Sequence, residues 1–274
     1  MTSKPIITFL SDYGLADDFV GVCHAVVAGI CPSAVVIDLS HGVPRGEVRA
    51  GALMLAGALP YLPVGVHLAV VDPGVGSERR AVAVRLADGR VLVGSDNGLL
   101  SPAAERAGGV LEAVDIGRSR FALQPVSATF HGRDIFAPVA ARIAAGAGLA
   151  EVGSAVDPTG LAGLELTRAR LEDRVLVAHA VYVDAFGNIQ LDTSELALAL
   201  GQSVRLATAD GVSARARYGR TFVDVAAGEL LVYEDSYGQL AVAVNQGNAA
   251  ERLGLGVGDE LRISLPDKLR ISLP

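Results

Sequence analysis

Three short polar runs hold most of the residues in this 274-residue chain that could bind or transform a small molecule. They are Ser11-Asp12-Tyr13-Gly14, Asp72-Pro73-Gly74-Val75-Gly76 and Ser95-Asp96-Asn97-Gly98, each directly after an apolar stretch. Carboxylates, a phenol and amides in such loops can orient hydroxyls, fix a guanidinium or hold a water. Asp, Asn, Pro and Gly are equally what tight turns demand, so any one run alone reads as a turn. In open α/β sheets ligands sit beyond the carboxyl ends of the strands, and three such runs in one predicted crevice favour a binding site. A fourth segment, Thr129-Phe130-His131-Gly132-Arg133-Asp134, places an imidazole just ahead of a helical pattern. From the residues alone, His131 is open between helix-entry structure and acid–base chemistry.

Several familiar chemistries are excluded by what does not occur. Gly74 and Gly76 form a G-x-G, but no third glycine follows where a dinucleotide fingerprint needs it, and no G-x-x-x-x-G-K-[ST] is present. No G-x-S-x-G elbow occurs, which argues against a hydrolase of that type. The five histidines (24, 41, 67, 131 and 179) contain no i,i+4 pair, so their spacing predicts no metal site. His24 and His67 lie in apolar stretches and read as structural. Cys23 and Cys31 fit no zinc spacing and read as small buried hydrophobes of a reducing compartment. Asn245-Gln246-Gly247-Asn248 and Ser236-Tyr237-Gly238 read first as hairpin turns.

The composition agrees with a folded enzyme-sized chain. Apolar residues make up 51% and charged ones 19%, enough to bury a full core and more than a disordered chain carries. The net charge of −7 and the scatter of the basic residues, of which only Lys4 and Lys268 are lysines, exclude a nucleic-acid footprint. No apolar run reaches the ~18 residues of a membrane span and no leader pattern precedes Pro5, so a cytoplasmic location is expected.

The elements that must position these residues follow from the apolar pattern. Strands are predicted at 6–10, 34–39, 65–71, 81–86 and 91–94, with helices from Asp17 or Asp18 to about Ile30 and over 47–59. Alternating strands and helices imply right-handed crossovers and a mostly parallel sheet. A further helix fits 134–145, with Ile135, Phe136, Val139 and Ile143 on one face and Pro138 tolerable only near its start. After about residue 165 the texture changes to short strand-like segments at 175–183, 203–207, 212–218, 230–233 and 240–244, separated by Gly, Asp and Asn. The predicted fold is therefore an α/β domain over 1–163, with a linker near 157–163, and a smaller all-β barrel or sandwich over 164–266. Leu261–Pro266 and Leu269–Pro274 repeat the same six residues, too short for a solenoid unit, and 267–274 is read as a tail or artefact.

In this order, the landmarks resemble the S-adenosylmethionine hydroxide adenosyltransferases, relatives of the fluorinases and chlorinases. They are Ser11-Asp12-Tyr13-Gly14, Val71–Gly76, Asp96-Asn97-Gly98-Leu99-Leu100, Phe130-His131-Gly132-Arg133-Asp134, Phe186-Gly187-Asn188 and Asn245–Ala250. The resemblance runs from about Pro5 to Pro266 and implies a C-terminal β-barrel, a homotrimer with substrate between subunits, and no cofactor. It also implies hydrolysis of S-adenosyl-L-methionine to adenosine and L-methionine, with Asp72, Arg79 and His131 as the catalytic set of the water-using branch. Arg79 rather than Arg80 is assigned on its spacing from Asp72. By the same resemblance Asp12 and Asp72 contact the sugar side, Phe130 and Phe186 face the nucleoside, and Asp184 and Asn188 hold polar groups. Ser236 and Tyr237 meet the adenine or methionine end. The chain lacks the insertion that fluoride-using enzymes carry between the strands at 81–86 and 91–94. A halide-using enzyme of the same fold and a non-catalytic adenosine-binding protein are the rival readings.

The chemistry suits those residue types. Attack at the 5′ carbon expels a neutral thioether, which needs no general acid. The nucleophile is the difficulty: water's pKa of 15.7 stands about 9 units above that of histidine, on the order of 12 kcal/mol for full prior transfer. A lone His131 cannot cover that gap. The expectation is therefore His131 as general base, Arg79 as hydroxide stabiliser and Asp72 as orienter.

Overall fold

In a computed structural model of the chain, which describes residues 4–165, 168–194 and 198–265, the apolar runs become strands buried on both faces. The chain divides into two compact units, one up to Leu164 and one from Glu165 onward.

The first unit runs β1 (Ile6–Ser11), α1 (Phe19–Ile30), β2 (Val35–Ser40), α2 (Val48–Ala58), β3 (Val66–Val70), β4 (Ala81–Leu86), β5 (Val91–Ser95), α3 (Ser101–Arg106) and β6 (Val110–Asp115). A π-helical turn (Gly132–Phe136), α4 (Ala137–Ala144), α5 (Leu149–Val152) and β7 (Ser154–Val156) complete it. The sheet order is β2-β1-β3-β5-β4-β6-β7. The three pairings from β2 to β5 are parallel, as the alternation of strands and helices implied. The three from β5 to β7 are antiparallel; β4 and β5 form a hairpin whose link, 87–90, is too short for a crossover helix. The expected parallel character therefore covers one half of the sheet.

This order has a direct consequence for the polar runs. β1, β3 and β5 are neighbours, so the loops that leave their carboxyl ends, at 11–14, 71–76 and 95–98, lie side by side. Connections from β1 go first to β2 and then back across β1 to β3, which puts a topological switch point between β1 and β3.

The core explains the helices. Val20, Cys23 and Val27 of α1 and Val139, Ala140 and Ile143 of α4 are buried against Phe9, Leu68 and Val70 of the sheet. Pro138 falls in the first turn of α4, where its missing N–H costs nothing. Both cysteines are buried and free. One polar pair crosses the central strands: Thr8 and His67 face each other in register, with Thr8 Oγ1 2.9 Å from His67 Nδ1. Burial pushes that imidazole down to about 4, so it is neutral and structural, as its apolar setting implied. No side chain caps the N-terminus of α1. Asp18 stands at the N-cap in helical conformation (φ −82°, ψ −3°), unlike the extended cap residue whose side chain folds back onto the first turn.

The segment read as a linker is tied to the first unit. Asp96 accepts from the Ala162 N–H at 2.7 Å, and Ser101 Oγ accepts from the Leu164 N–H at 2.9 Å.

The second unit runs β8 (Arg170–Glu172), β9 (Val175–Val183), β10 (Ile189–Leu191), β11 (Ser203–Thr208), β12 (Ser213–Tyr218), β13 (Leu230–Glu234), β14 (Leu240–Val244), α6 (Ala249–Leu253) and β15 (Glu260–Ser264). The order β9-β10-β14-β13-β12-β11-β15 returns to β9, closing a seven-stranded barrel to which β8 is added. Alternating residues such as Leu176, Ala178 and Ala180, Val204 and Leu206, and Leu261 and Ile263 fill its interior. The first LRISLP copy thus supplies β15, a wall of the barrel. The second copy, residues 269–274, lies outside the described residues.

Candidate active site

Asp72 leaves β3 into a loop that doubles back through two turns, with Val75 N–H bonded to Asp72 O at 3.2 Å and Ser77 N–H to Gly74 O at 3.0 Å. That reversal returns Arg79 over Asp72. The Arg79 Nε lies 2.9 Å from Oδ1 and 3.1 Å from Oδ2, and Nη2 also donates to Oδ2. The same Nη2 donates to His131 Nδ1 at 2.8 Å. The guanidinium carbon stands 5.4 Å from the centre of the Phe136 ring. With side-chain exposures of 6% for Asp72 and 12% for Arg79, this pair is largely out of water, where charge-assisted bonds are strongest. Arg80 turns elsewhere, its Nε 2.8 Å from Asp96 Oδ2.

Two glycines allow these loops to meet. Gly76 has φ +79°, and a Cβ there would lie 2.5 Å from the carbonyl oxygen of Ala128, on the approach to His131. At Gly132 a Cβ would stand 2.0 Å from the Tyr13 hydroxyl. His131 caps the π-helical turn over Gly132–Phe136, a device that recurs at functional sites. Asp134 holds the turn from below, accepting from Ser127 N–H at 2.8 Å and Arg133 Nε at 2.7 Å. Burial opposes its ionisation, but those bonds from Arg133 and Ser127 outweigh it and lower its pKa.

The electrostatics fix the state of His131. Burial first, and then the adjacent Arg79 charge, hold its pKa below the ordinary histidine value. A guanidinium only donates, so Nδ1 must be the accepting nitrogen and the remaining proton sits on Nε2.

Around the triad, Asp12 Oδ2 accepts from the Gly46 N–H at 2.8 Å. Phe130 packs edge-on to Tyr13 and Phe19, with ring centres 5.9 and 5.1 Å apart. Burial, and then surrounding negative groups that include Asp12 and Asp72, raise the Tyr13 phenol far above its ordinary value, so it is a neutral hydroxyl beside the triad. Tyr13 and Phe19 belong to this site although the residue pattern did not single them out. Tyr13 was visible within the first polar run, whereas Phe19 looked like one more helix residue.

The remaining predicted residues lie on the second unit. Asp184 organises the β9–β10 turn: Oδ1 accepts from the N–H groups of Phe186 and Asn188, each at 2.9 Å, and Oδ2 from Asn188 Nδ2 at 2.8 Å. Phe186 projects from that turn and is 78% exposed. Ser236 and Tyr237 occupy the β13–β14 turn, held by Asp235, whose Oδ2 also accepts from Gln190 Nε2 at 2.6 Å. Gln190 of β10 thus ties the β13–β14 turn to the strand that leaves the β9–β10 turn. Asn248 caps α6 through Glu251 N–H at 3.0 Å, and Ala250 N–H bonds Gly187 O at 3.0 Å, so the segment after β14 holds the β9–β10 turn.

A family model described as the SAM hydroxide adenosyltransferase N-terminal domain matches residues 7–153, and the corresponding C-terminal domain matches 178–262. The chain belongs to the SAM hydroxide adenosyltransferase family. The chain is 52% identical to the (R)-S-adenosyl-L-methionine hydrolase of Salinispora tropica, over 96% of this chain and 99% of that one. It is 50% identical to the enzyme of that name from Salinispora arenicola, with the same coverage. The fluorinase of Nocardia brasiliensis is more distant, at 27% identity over 96% and 97% of the two chains. A crystal structure of an uncharacterized conserved protein from Thermotoga maritima superposes with a TM-score of 0.88 at 36% identity, covering 94% of this chain and all of that one.

The fold also gathers residues that spacing had kept apart. His24 of α1, Asp38 of β2 and His41 of the following loop bring one ligand atom each within 4.8 Å of one another. His24 is therefore not a core histidine; its Nε2 lies 2.8 Å from Asp38 Oδ1.

Proposed function

We propose that the chain hydrolyses S-adenosyl-L-methionine to adenosine and L-methionine. The observation that carries this is the Asp72–Arg79–His131 relay at the switch point between β1 and β3, beside the packed rings of Tyr13, Phe19 and Phe130. The identity to proteins named as such hydrolases supports it.

In the reaction the water oxygen bonds to C5′ as the C5′–S bond breaks, the electron pair goes to sulfur, and one proton is released. We read the role of His131 differently from a general base. Its Nδ1 lone pair accepts from Arg79, so its Nε2–H donates towards the water and fixes the in-line approach. The protons of the attacking water grow acidic as the C5′–O bond forms, so no strong base is required in advance. Asp72 Oδ1 takes a single bond from the guanidinium and keeps a lone pair for the departing proton. Arg79 stabilises the partial hydroxide and locks both partners. Asp12 and Asp72 face the sugar, and Phe130 and Phe186 the nucleoside. Asp184 and Asn188 hold polar groups, and Ser236 and Tyr237 meet the adenine or methionine end. The chemistry calls for no cofactor. We further read the working form as a cytoplasmic homotrimer with substrate between subunits.

Chromatography of products from S-adenosyl-L-methionine, with and without chloride, tests this. Adenosine and methionine in equal amounts under both conditions is expected. Formation of 5′-chloro-5′-deoxyadenosine selects the halide reading, and binding of adenosine without turnover selects a non-catalytic binder.

A further inference from the structure

We propose that His24, Asp38 and His41 form a binding site for one divalent transition-metal ion of the zinc class, at the β2 edge of the first sheet. The three residues come from α1, β2 and the loop after β2, and their ligand atoms lie within 4.8 Å of one another. Asp38 Oδ1 is 2.8 Å from His24 Nε2 and 3.0 Å from His41 Nε2. Two imidazoles and a carboxylate around one point are a ligand set that borderline divalent ions take, at metal–ligand distances of about 2.0–2.2 Å.

Two features point to an ion rather than to a simple ion-pair cluster. The side chain of His41 is only 2% exposed, yet its Nε2 has no hydrogen-bond partner although it faces the carboxylate of Asp38. A buried ring nitrogen left without a hydrogen bond is costly, and a cation shared with the Asp38 carboxylate satisfies both groups. The other ring nitrogen, Nδ1, lies 2.7 Å from Ser11 Oγ. Metal-binding histidines are oriented in this way by a partner on their second nitrogen. His24 and Asp38, about two-fifths exposed, leave an entry path and an open fourth position for water.

The site is joined to the first polar run. His41 O accepts from the Gly14 N–H at 2.7 Å, and Ser11 Oγ takes the Tyr13 N–H at 3.3 Å. An ion here braces the loop that carries Asp12 and Tyr13, a structural task that stands whether or not the reaction proposed above is right.

Tag-free protein, stripped with chelator and dialysed, is titrated with Zn²⁺ by calorimetry and with Co²⁺ by visible absorption. One ion per chain, d–d bands with Co²⁺, and a thermal midpoint that rises with Zn²⁺ are expected. The partly exposed variants His24→Ala and Asp38→Asn, checked for folding by circular dichroism, lose at least tenfold in affinity. Absence of heat and of Co²⁺ bands in the wild type overturns the proposal. So does binding that is unchanged in His24→Ala, which places the ion elsewhere.

Discussion

Arg79→Lys keeps the positive charge and removes the fork, so it separates charge from geometry. In the native site one guanidinium serves both Asp72 oxygens and His131 Nδ1 through two of its nitrogens. An ammonium on a flexible stem is a single point of attachment and cannot span the carboxylate and the imidazole together. At least two charge-assisted bonds are lost, each worth roughly 1.5–2 kcal/mol in a group this buried. If that loss falls on the transition state, turnover drops by about 10²–10³-fold at 1.36 kcal/mol per tenfold. His131, freed from its donor, also regains access to the other tautomer. The assay is the initial rate of adenosine release at saturating substrate, with thermal unfolding run alongside to show that the variant folds. Turnover within about twofold of wild type would refute the relay.

Two further outcomes follow from the same geometry. Because burial and Arg79 lower the His131 pKa, the unfolded chain binds its proton near pH 6.5 while the native chain binds it only at lower pH. Stability from the neutral ring is therefore complete above about pH 6.5 and is lost as pH falls below it; turnover shows an acid limb in the same range, and a limb centred above pH 6.5 in a pH–rate profile contradicts the assignment. Gly132→Ala drives a methyl into the Tyr13 hydroxyl, since the added carbon would lie 2.0 Å away. A loss of about 1–3 kcal/mol in denaturant unfolding, with impaired turnover, is expected, and a variant indistinguishable from wild type shows that the turn relaxes freely.

Much of the scaffold was legible because long apolar runs leave few choices. β1, β3, β4 and β5 fall where the pattern put them, and so do most barrel strands. What escaped was short or ambiguous. β10 has three residues, too few for a periodicity, and β6 carries Glu112 and Asp115 among its apolar residues. β15 was hidden by its own repetition. At the site, the residue types showed a polar crevice and left His131 open, and resemblance supplied the grouping with Arg79. The tautomer was beyond reach, because it depends on which atom of Arg79 meets which nitrogen of the ring. Likewise His24, Asp38 and His41 come from three elements, so no linear spacing could join them.

The closed barrel gives β15 a significance beyond its five residues. It is hydrogen-bonded to β11 on one side and β9 on the other, pairing Leu261 with both Thr208 and Ala178. Removing it does not trim a sheet; it opens a ring and creates two bare edges at once, each lined with unsatisfied backbone donors and acceptors. Such edges recruit strands from other molecules. A chain cut ahead of Glu260 is thus expected to self-associate through those edges, and β15 is the strand that completes the ring.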